Sequence, residues 1–297
     1  MSSIEISKSF KLAAIDLDGT LLGPDHQISM ENARAVRQLQ GAGAQVVLAS
    51  GRHYNSMRKY ADSLPGVQWI VSCQGGELSD VQRMAVLSRK FLAQGQAKEV
   101  WELGRSLGFT SVVYTVEGVV TEADWNGEMK FYTELVGSRP ADVKTPELFT
   151  REVFKVIWIG EPDRLSEVKL PLGQLPASVQ TVRTHARFLE FMPASVSKGS
   201  ALELLAGRLG IDPSAAVVFG DGENDIPMFN WAGGSVAMLH GWPAAIRQAK
   251  WVAPDGPRET AFARGVEMAL ANQAQSSPER PRQQAATQGR PEPAKVP

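Results

Sequence analysis

The chain has 297 residues, of which 43% are hydrophobic and 21% charged, with a formal net charge of -1, so it can bury a sizeable core as one large domain or two of ordinary size. The near balance of acidic and basic residues gives no indication of a nucleic-acid partner. No apolar run reaches the ~18 residues of a membrane span. A small-molecule ligand is therefore expected, and the polar N-terminus without an apolar leader segment favours a cytoplasmic protein.

The first 82 residues alternate short apolar runs with helical patterns, which is typical of a parallel sheet covered by helices. The apolar runs predict three strands, at Leu12–Leu17, Gln45–Ala49 and Gln68–Cys73. Two helices are predicted between them, at Ser29–Gln40 and Asn55–Ser63, the first with its serine as N-cap and a glycine just beyond its end. We therefore expect residues 1–82 to form the first part of a core domain.

Residues 83–188 show a different pattern. Val112, Tyr114 and Val116 alternate with other residues as in a strand, Val153–Ile159 is an apolar run, and helical spacing of apolar residues occurs before them. We predict that this region is a smaller α+β domain inserted into the core.

The pattern of the first region returns over residues 189–272. It predicts a helix from Ser197, strands at Ala215–Phe219 and Ser235–Met238, and helices at Asp225–Trp231 and Arg258–Asn272. Residues 273–297 are rich in proline, glutamine and charged residues, and are predicted to be a disordered tail, because such a segment cannot bury enough apolar surface to offset its ordering entropy. The predicted architecture is one α/β core domain split in two by the insertion.

Polar side chains follow the predicted strands, where open α/β sheets place their ligand sites. Lys198 begins a helix expected to pack nearby. The other polar groups follow three strands, as Asp16-Leu17-Asp18-Gly19-Thr20, Ser50-Gly51-Arg52 and Gly220-Asp221-Gly222-Glu223-Asn224-Asp225.

Asp16 and Asp18 fit the two roles of a phosphoryl-transfer reaction. Carboxylates two residues apart at a strand end point to the same side, so one can attack while the other serves as acid and base. A carboxylate that attacks phosphorus forms an acyl phosphate, which is far easier to hydrolyse than the starting ester. We interpret Asp16 as the nucleophile and Asp18 as the general acid and base.

The same carboxylates indicate a metal. Asp16 and Asp18, gathered with Asp221 and Asp225, would repel one another unless a cation held them, and an all-oxygen cluster suits Mg²⁺. Lys198 supplies a fixed positive charge, while the Ser50 hydroxyl and backbone N–H groups near Gly51 can hold phosphoryl oxygens. The predicted ligand is thus a small phosphoester, with Mg²⁺ as cofactor.

Each motif alone also fits a structural role. Asp-x-Asp-Gly-Thr and Gly-Asp-Gly are turn sequences, and Ser-Lys-Gly at a helix start can be a cap followed by a solvated lysine. Their occurrence in order, each at a strand end or helix start, favours a catalytic site.

Cysteine and histidine give no sign of chemistry. Cys73 follows an apolar stretch and is predicted to be a buried thiol. The histidines lack metal-ligand spacing and are predicted to have surface or packing roles; they are His26, His53, His185 and His240.

With these residues in view, the chain resembles the haloacid dehalogenase (HAD) superfamily, specifically its Cof-type members with a type-IIB cap. The resemblance spans about residues 11–270. It is most specific in Asp16-Leu17-Asp18-Gly19-Thr20-Leu21-Leu22, in Glu190-Phe191-Met192-Pro193 through Ser197-Lys198-Gly199-Ser200-Ala201-Leu202, and in Gly220-Asp221-Gly222-Glu223-Asn224-Asp225-Ile226-Pro227-Met228.

The resemblance implies a Rossmann-like core with a parallel sheet and an inserted α+β cap. It implies that Asp16 becomes phosphorylated, that Asp16, the Asp18 carbonyl and Asp221 bind Mg²⁺, and that Asp225 supports the metal from behind. Ser50 and Lys198 would hold the phosphoryl group, Asn224 would orient Lys198 or the phosphate, and Arg52 would reach towards the substrate. Dehalogenases of the superfamily lack the second aspartate, so Asp18 favours phosphoryl chemistry.

The resemblance is imperfect near the substrate. Ser50 stands where the family usually has threonine, Gln74-Gly75-Gly76 replaces a common Asn-Gly-Ala, and Met238–Trp242 lacks a common Asn-Ala. In the cap, four residues could line a substrate pocket or simply pack: Tyr114, Trp125, Tyr132 and Arg139.

The leading hypothesis is a phosphatase acting on a small phosphorylated metabolite, with sugar phosphates as the family-level expectation. A phosphomannomutase-like phosphotransferase and a non-catalytic binding protein on the same fold are the alternatives. The sequence does not indicate an oligomeric state.

Overall fold

A computed structural model describes residues 9–168 and 175–275, which fold around two β-sheets. The strands, in chain order, are β1 (Leu12–Ile15), β2 (Gln45–Ala49), β3 (Trp69–Ser72), β4 (Glu77–Asp80), β5 (Ala85–Arg89), β6 (Thr110–Thr115), β7 (Val119–Thr121), β8 (Ala141–Asp142), β9 (Val153–Ile159), β10 (Val179–His185), β11 (Phe188–Pro193), β12 (Ala216–Gly220), β13 (Gly234–Ala237) and β14 (Trp251–Val252).

The α-helices lie between these strands. They are α1 (Met30–Gly41), α2 (Tyr54–Ser63), α3 (Gln94–Ser106), α4 (Gly127–Val136), α5 (Thr145–Leu148), α6 (Pro162–Glu167), α7 (Lys198–Leu209), α8 (Ile226–Trp231), α9 (Pro243–Gln248) and α10 (Ala261–Gln275).

The larger sheet forms the core domain, in the strand order β14-β13-β12-β1-β2-β3-β4-β5. Its strands pair in parallel from β14 to β3, and β4 and β5 extend it as antiparallel strands. Hydrophobic clusters fill both faces: α1, α2 and α10 pack on one, and α7, α8 and α9 on the other. The central strands are apolar throughout because both of their faces are covered.

The smaller sheet belongs to the inserted cap, in the order β10-β11-β9-β6-β7-β8. Its pairs are antiparallel except for β7 with β8. A cluster around Trp101 and Trp158 packs α3 on one face, and a second cluster packs α4 on the other. Cys73, from the turn after β3, joins this second cluster, so core and cap share apolar contacts.

Local sequence signals explain where α7 begins and ends. The Ser197 hydroxyl accepts a hydrogen bond from the Ser200 N–H, and the Ser200 hydroxyl accepts one from the Ser197 N–H, each at 3.0 Å. This reciprocal cap satisfies two N–H groups that the first turn leaves unpaired. Gly210 ends the helix in the left-handed conformation, at φ 66°. These two hydrogen bonds at the helix N-terminus fix the position of Lys198, the first residue of the helix.

The predicted α/β fold with a mostly parallel sheet is confirmed. Sheet membership bears on the predicted domain boundaries without deciding them. β5 lies in the core sheet, although its residues fall within the predicted cap, 83–188. β11 lies in the cap sheet, although all of its residues after Phe188 fall within the predicted second part of the core. The division into domains stays a prediction, and we propose boundaries close to residues 90 and 194.

The C-terminal prediction is only partly covered by the structure. Helix α10 extends to Gln275, beyond the predicted end at Asn272. The rest of the predicted tail, residues 276–297, lies outside the described residues. Within residues 9–168 and 175–275 there is no helix with the length and apolarity required to cross a bilayer. The cytoplasmic location stays a prediction.

Candidate active site

The order of the strands brings the predicted site residues together. β1 lies between β2 and β12, and its parallel pairing aligns the carboxyl ends of all three strands. Asp16 follows β1, Ser50 follows β2 and Asp221 follows β12. The Asp16 N–H donates to the Phe219 carbonyl at 3.0 Å, which holds the chain at the strand end. Residues from opposite ends of the sequence therefore share one edge of the sheet.

Lys198 lies between two of the aspartates. Its Nζ donates to Asp16 Oδ1 at 2.5 Å and to Asp225 Oδ1 at 2.6 Å, and its side chain is fully buried. Burial alone would lower the pKa of Lys198, but the charges of Asp16 and Asp225 raise it above its ordinary value. The site thus contains a permanent positive charge in direct contact with the predicted nucleophile.

Three carboxylates form a cluster that suits a metal. Asp16, Asp221 and Asp225 each offer an oxygen, and these oxygens lie within 4.8 Å of one another. Burial raises the pKa of Asp16 to about 8, against the opposing effect of Lys198. Burial, with the charges of Asp16 and Asp225, also raises the pKa of Asp221. Oxygen ligands at such spacing fit a divalent cation, which would stabilise the charged forms of these carboxylates and lower their pKa values again.

The three carboxylates are not equivalent. Asp225 Oδ1 accepts from Lys198, and its Oδ2 accepts from the N–H groups of Asp221 and Gly222, each at 2.9 Å. No donor in the described part of the chain contacts the Asp221 carboxylate. Asp16 and Asp221 therefore have oxygens free for a metal, whereas Asp225 holds the loop and Lys198 in place.

Glycine at position 19 is required by the same geometry. Gly19 has φ +79°, a conformation that residues with a side chain rarely adopt. A Cβ at this position would also collide with the Asp221 carboxylate. The Asp-x-Asp-Gly turn can therefore approach the second half of the core only because this residue lacks a side chain.

Ser50 is placed to donate a hydrogen bond into the site. It is buried, and its Oγ accepts from the Arg52 N–H at 3.2 Å. Because the hydroxyl oxygen already has this donor, its own proton remains available for another acceptor. Lys155 Nζ donates a hydrogen bond to the Gly51 carbonyl at 2.7 Å. This bond fixes the orientation of the peptide group that joins Gly51 to Arg52.

Arg52 forms a bidentate pair with Asp18. Its Nε donates to Asp18 Oδ2 at 2.7 Å and its Nη2 donates to Asp18 Oδ1 at 2.6 Å. His26 Nδ1 lies 3.6 Å from the same carboxylate. Partial burial would raise the pKa of Asp18, but the two hydrogen bonds from Arg52, with nearby His26, bring it well below its ordinary value. The Asp18 side chain, predicted as acid, base and metal ligand, is thus held by Arg52 and lies outside the three-carboxylate cluster.

A cavity of about 190 Å³ lies over these residues, between core and cap. Its volume suits a small molecule rather than a polymer. The core contributes one wall, which contains Asp16, Ser50, Asp221 and Asn224. The cap contributes an opposite wall of mixed character, formed by Tyr114, Val136, Ile157, Thr184, His185 and Phe188.

The structure separates the four candidate residues of the cap. Tyr114 lines the cavity, and its hydroxyl hydrogen-bonds that of the buried Tyr132 at 2.9 Å. Trp125 is 52% exposed, and the Arg139 guanidinium stacks on its ring at 4.9 Å from the ring centre. Neither of these two residues lines the cavity. Tyr114 is therefore positioned for a ligand, Tyr132 supports it, and the other pair lies on the surface.

Several cavity residues were not predicted from the sequence. His26 and His185 line the cavity, although only packing or surface roles were expected for them. Lys155 and Glu190 are buried charged residues of the cap wall. Each stands alone within an apolar strand, and an isolated charge in such a strand is a signal that could have identified them.

The chain is similar to known proteins over most of its length. The family model described as haloacid dehalogenase-like hydrolase matches residues 13–261. The chain belongs to this family. A protein of Streptococcus pyogenes with the provisional name of a phosphatase is 31% identical over 252 residues, which cover 82% of this chain and 93% of that protein.

Solved structures agree with the family assignment. A haloacid dehalogenase-like hydrolase from Bacteroides thetaiotaomicron is 25% identical, with a TM-score of 0.74 and coverage of 88% of this chain and 100% of that one. A sugar phosphatase of HAD subclass IIB, at 19% identity, shares the fold with a TM-score of 0.76 and coverage of 88% and 98%. The predictions of the family and of a hydrolase acting on phosphoric monoesters are confirmed.

Proposed function

We propose that this chain is a Mg²⁺-dependent phosphatase that hydrolyses a small phosphorylated metabolite, a sugar phosphate by preference, through an aspartyl-phosphate on Asp16. One observation supports the proposal above all others. The Asp16 carboxylate lines the cavity beneath the cap, in contact with Lys198 and beside the free carboxylate of Asp221. A nucleophile, a fixed cation and metal-binding oxygens therefore meet where a phosphoryl group would enter.

The proposed reaction has two displacements at phosphorus. In the first, an Asp16 oxygen bonds to phosphorus, the bond to the leaving oxygen breaks, and Asp18 gives that oxygen a proton. In the second, water attacks the phosphorus, its proton passes to Asp18, and the bond from phosphorus to Asp16 breaks. Inorganic phosphate leaves, and both aspartates return to their starting states.

Arg52 must release Asp18 before this proton transfer. In the described conformation both carboxylate oxygens of Asp18 accept hydrogen bonds from Arg52, and the pKa of Asp18 is well below its ordinary value. Asp18 is therefore ionised here, and it takes up the proton that it later donates only after Arg52 has left it. A phosphate dianion is a competing bidentate partner for a guanidinium. We propose that the substrate draws Arg52 from Asp18, which would give Arg52 the substrate contact predicted for it.

Asp16 and Asp221 are the side chains proposed to hold Mg²⁺, with the Asp18 carbonyl as a further ligand. When bound, the ion would neutralise charge on the phosphoryl group. Asp225 would hold Lys198 and the loop of Asp221 from behind. Ser50, Gly51 and Asn224 complete the proposed phosphate-binding set, since all three line the cavity.

Release of inorganic phosphate from a panel of sugar phosphates, nucleotides and cofactor phosphates tests the proposal. We expect turnover in Mg²⁺, with sugar phosphates among the best substrates, and none after chelation with EDTA. No turnover across the panel would leave the non-catalytic binding protein as the better description. With mannose 1-phosphate, formation of an isomer without inorganic phosphate would contradict hydrolysis and favour a phosphomutase.

A further inference from the structure

A buried ion pair joins two strands of the cap where they face the core. Lys155 on β9 and Glu190 on β11 place Nζ and Oε2 2.7 Å apart, with side chains only 1% and 4% exposed. Charges so deeply buried are costly unless their hydrogen bonds are complete. The partners of this pair therefore indicate what it does.

Both charges contact the core as well as each other. Lys155 Nζ donates to the Gly51 carbonyl, at 2.7 Å, in the loop after β2. Glu190 Oε2 accepts from Gln74 Nε2 at 3.2 Å, in the turn after β3. The oxygen of the same carboxamide, Gln74 Oε1, accepts from Asn224 Nδ2 at 3.1 Å. One pair of cap residues thus reaches two separate segments of the proposed phosphate site.

The Gly51 contact sets the direction of the Ser50 hydroxyl. The peptide between Gly51 and Arg52 is held at both ends, by Lys155 on its carbonyl and by Ser50 Oγ on its N–H. If this peptide rotated, Ser50 would lose the donor that occupies its oxygen, and its proton would no longer be directed by that bond.

The hydrogen-bonding capacity of the pair is used within the protein. Lys155 Nζ also lies 4.3 Å from the centre of the Tyr114 ring, and Glu190 Oε1 accepts from the Thr184 hydroxyl at 2.8 Å. Satisfied in this way, the pair needs no substrate group to complete it, so positioning accounts for its contacts better than substrate recognition does.

We propose that Lys155 and Glu190 are positioning residues, which align the phosphate-binding groups Ser50 and Asn224 only while the cap is closed on the core. This inference rests on the proposed function. The hydrogen bonds from Lys155 to Gly51 and from Gln74 to Glu190 each join a cap residue to a core residue. Opening the cap would therefore break both bonds, and closing the cap would restore the alignment.

Lys155→Met, Glu190→Gln and the double variant test the proposal in the full-length protein. Binding of inorganic phosphate, measured by calorimetry in Mg²⁺, is expected to weaken about 10- to 100-fold in each single variant, which is the effect of losing one hydrogen bond to a charged ligand. The double variant is expected to be no worse than the worse single variant, since the two residues act as a unit. Glu190→Asp should recover part of the affinity.

Glu128→Gln is the matched control. Glu128 pairs with Arg187 at 2.8 Å within the cap, and neither residue lines the cavity. Phosphate binding is expected to be unchanged in this variant. Urea unfolding followed by circular dichroism separates a loss of fold from a loss of alignment, and Glu190→Gln keeps the shape of the side chain in case Lys155→Met does not fold.

Two results would overturn the inference. One is wild-type phosphate binding in folded Lys155→Met and Glu190→Gln, which would make the pair purely structural. The other is a raised KM for a sugar phosphate with unchanged binding of inorganic phosphate, which would place the pair on the leaving group. A wild-type protein that binds phosphate without hydrolysing any ester would refute the proposed function alone, because the binding comparison does not depend on turnover.

Discussion

Replacing Lys198 with methionine removes the ammonium group that lies between Asp16 and Asp225. Both of its ion-pair distances, 2.5 Å and 2.6 Å, are short, and its side chain is fully buried, so water cannot take its place. Methionine has nearly the same length, and the change therefore tests charge more than packing. It leaves buried carboxyl groups without the cation that compensates them.

The structure sets the magnitude of the effect. Removing one partner of a buried ion pair destabilises a protein by about 3–5 kcal/mol. With an m value of about 3 kcal/mol/M, the urea midpoint would fall by about 1–2 M. Loss of a fixed charge beside the transferring phosphoryl group would also lower kcat by about 100- to 1000-fold.

Urea unfolding in EDTA, followed by circular dichroism, measures the first effect, and phosphate release in Mg²⁺ measures the second. Lys98→Met is the control, because Lys98 pairs with Glu102 at 3.7 Å and is 55% exposed. An exposed pair of this kind contributes about 0.5 kcal/mol or less. Equal midpoints for the Lys198 and Lys98 variants would refute the charge argument, and wild-type turnover in Lys198→Met would refute its role at the phosphate.

Three further predictions address other groups. Asp16→Asn should lower kcat by about 10⁴-fold or more while the circular dichroism spectrum stays that of the wild type, and residual activity near wild type would contradict the nucleophile. Burial lowers the pKa of His53 below its ordinary 6.5, so the unfolded chain gains a proton before the folded one as pH falls, and stability decreases below about pH 6.5. His53→Asn keeps an acceptor for the Asn55 N–H, and its urea midpoint should change less between about pH 7.5 and about pH 5.5 than that of the wild type; equal changes would exclude His53 as the cause. Burial raises the pKa of Cys73 to about 12, so a thiol reagent such as DTNB should react with the unfolded protein but not with the native one at neutral pH, and rapid native labelling would contradict the buried position.

The edge of the sheet that carries the candidate active site could be predicted from the sequence because its signals are local. Apolar runs mark β1, β2 and β12, and parallel pairing forces their carboxyl ends to one edge. Asp16, Ser50 and Asp221 therefore had to lie close together once the strands were identified. Their chemical roles stay predictions, since proximity does not show reactivity.

Other features could not be predicted because their causes are not local. β5 is half exposed and lies at the edge of the core sheet, so it has no buried face to give it an alternating pattern. Lys155 donates to the carbonyl of a residue 104 positions away, and Arg52 pairs with a residue 34 positions away. Sequence spacing contains no information on such partners. The pattern could show an unusual lysine in β9 but not the loop that it holds.

The central position of β1 has a consequence for synthesis of the chain. β1 is made first, but its pairing with β12 requires residues that follow about 200 positions later, a delay of roughly 10–40 s at about 5–20 residues per second. Throughout that interval one edge of an entirely apolar strand has no partner, and such edges promote association between chains. The nascent N-terminal segment therefore depends on protection from other unfolded chains until β12 has emerged.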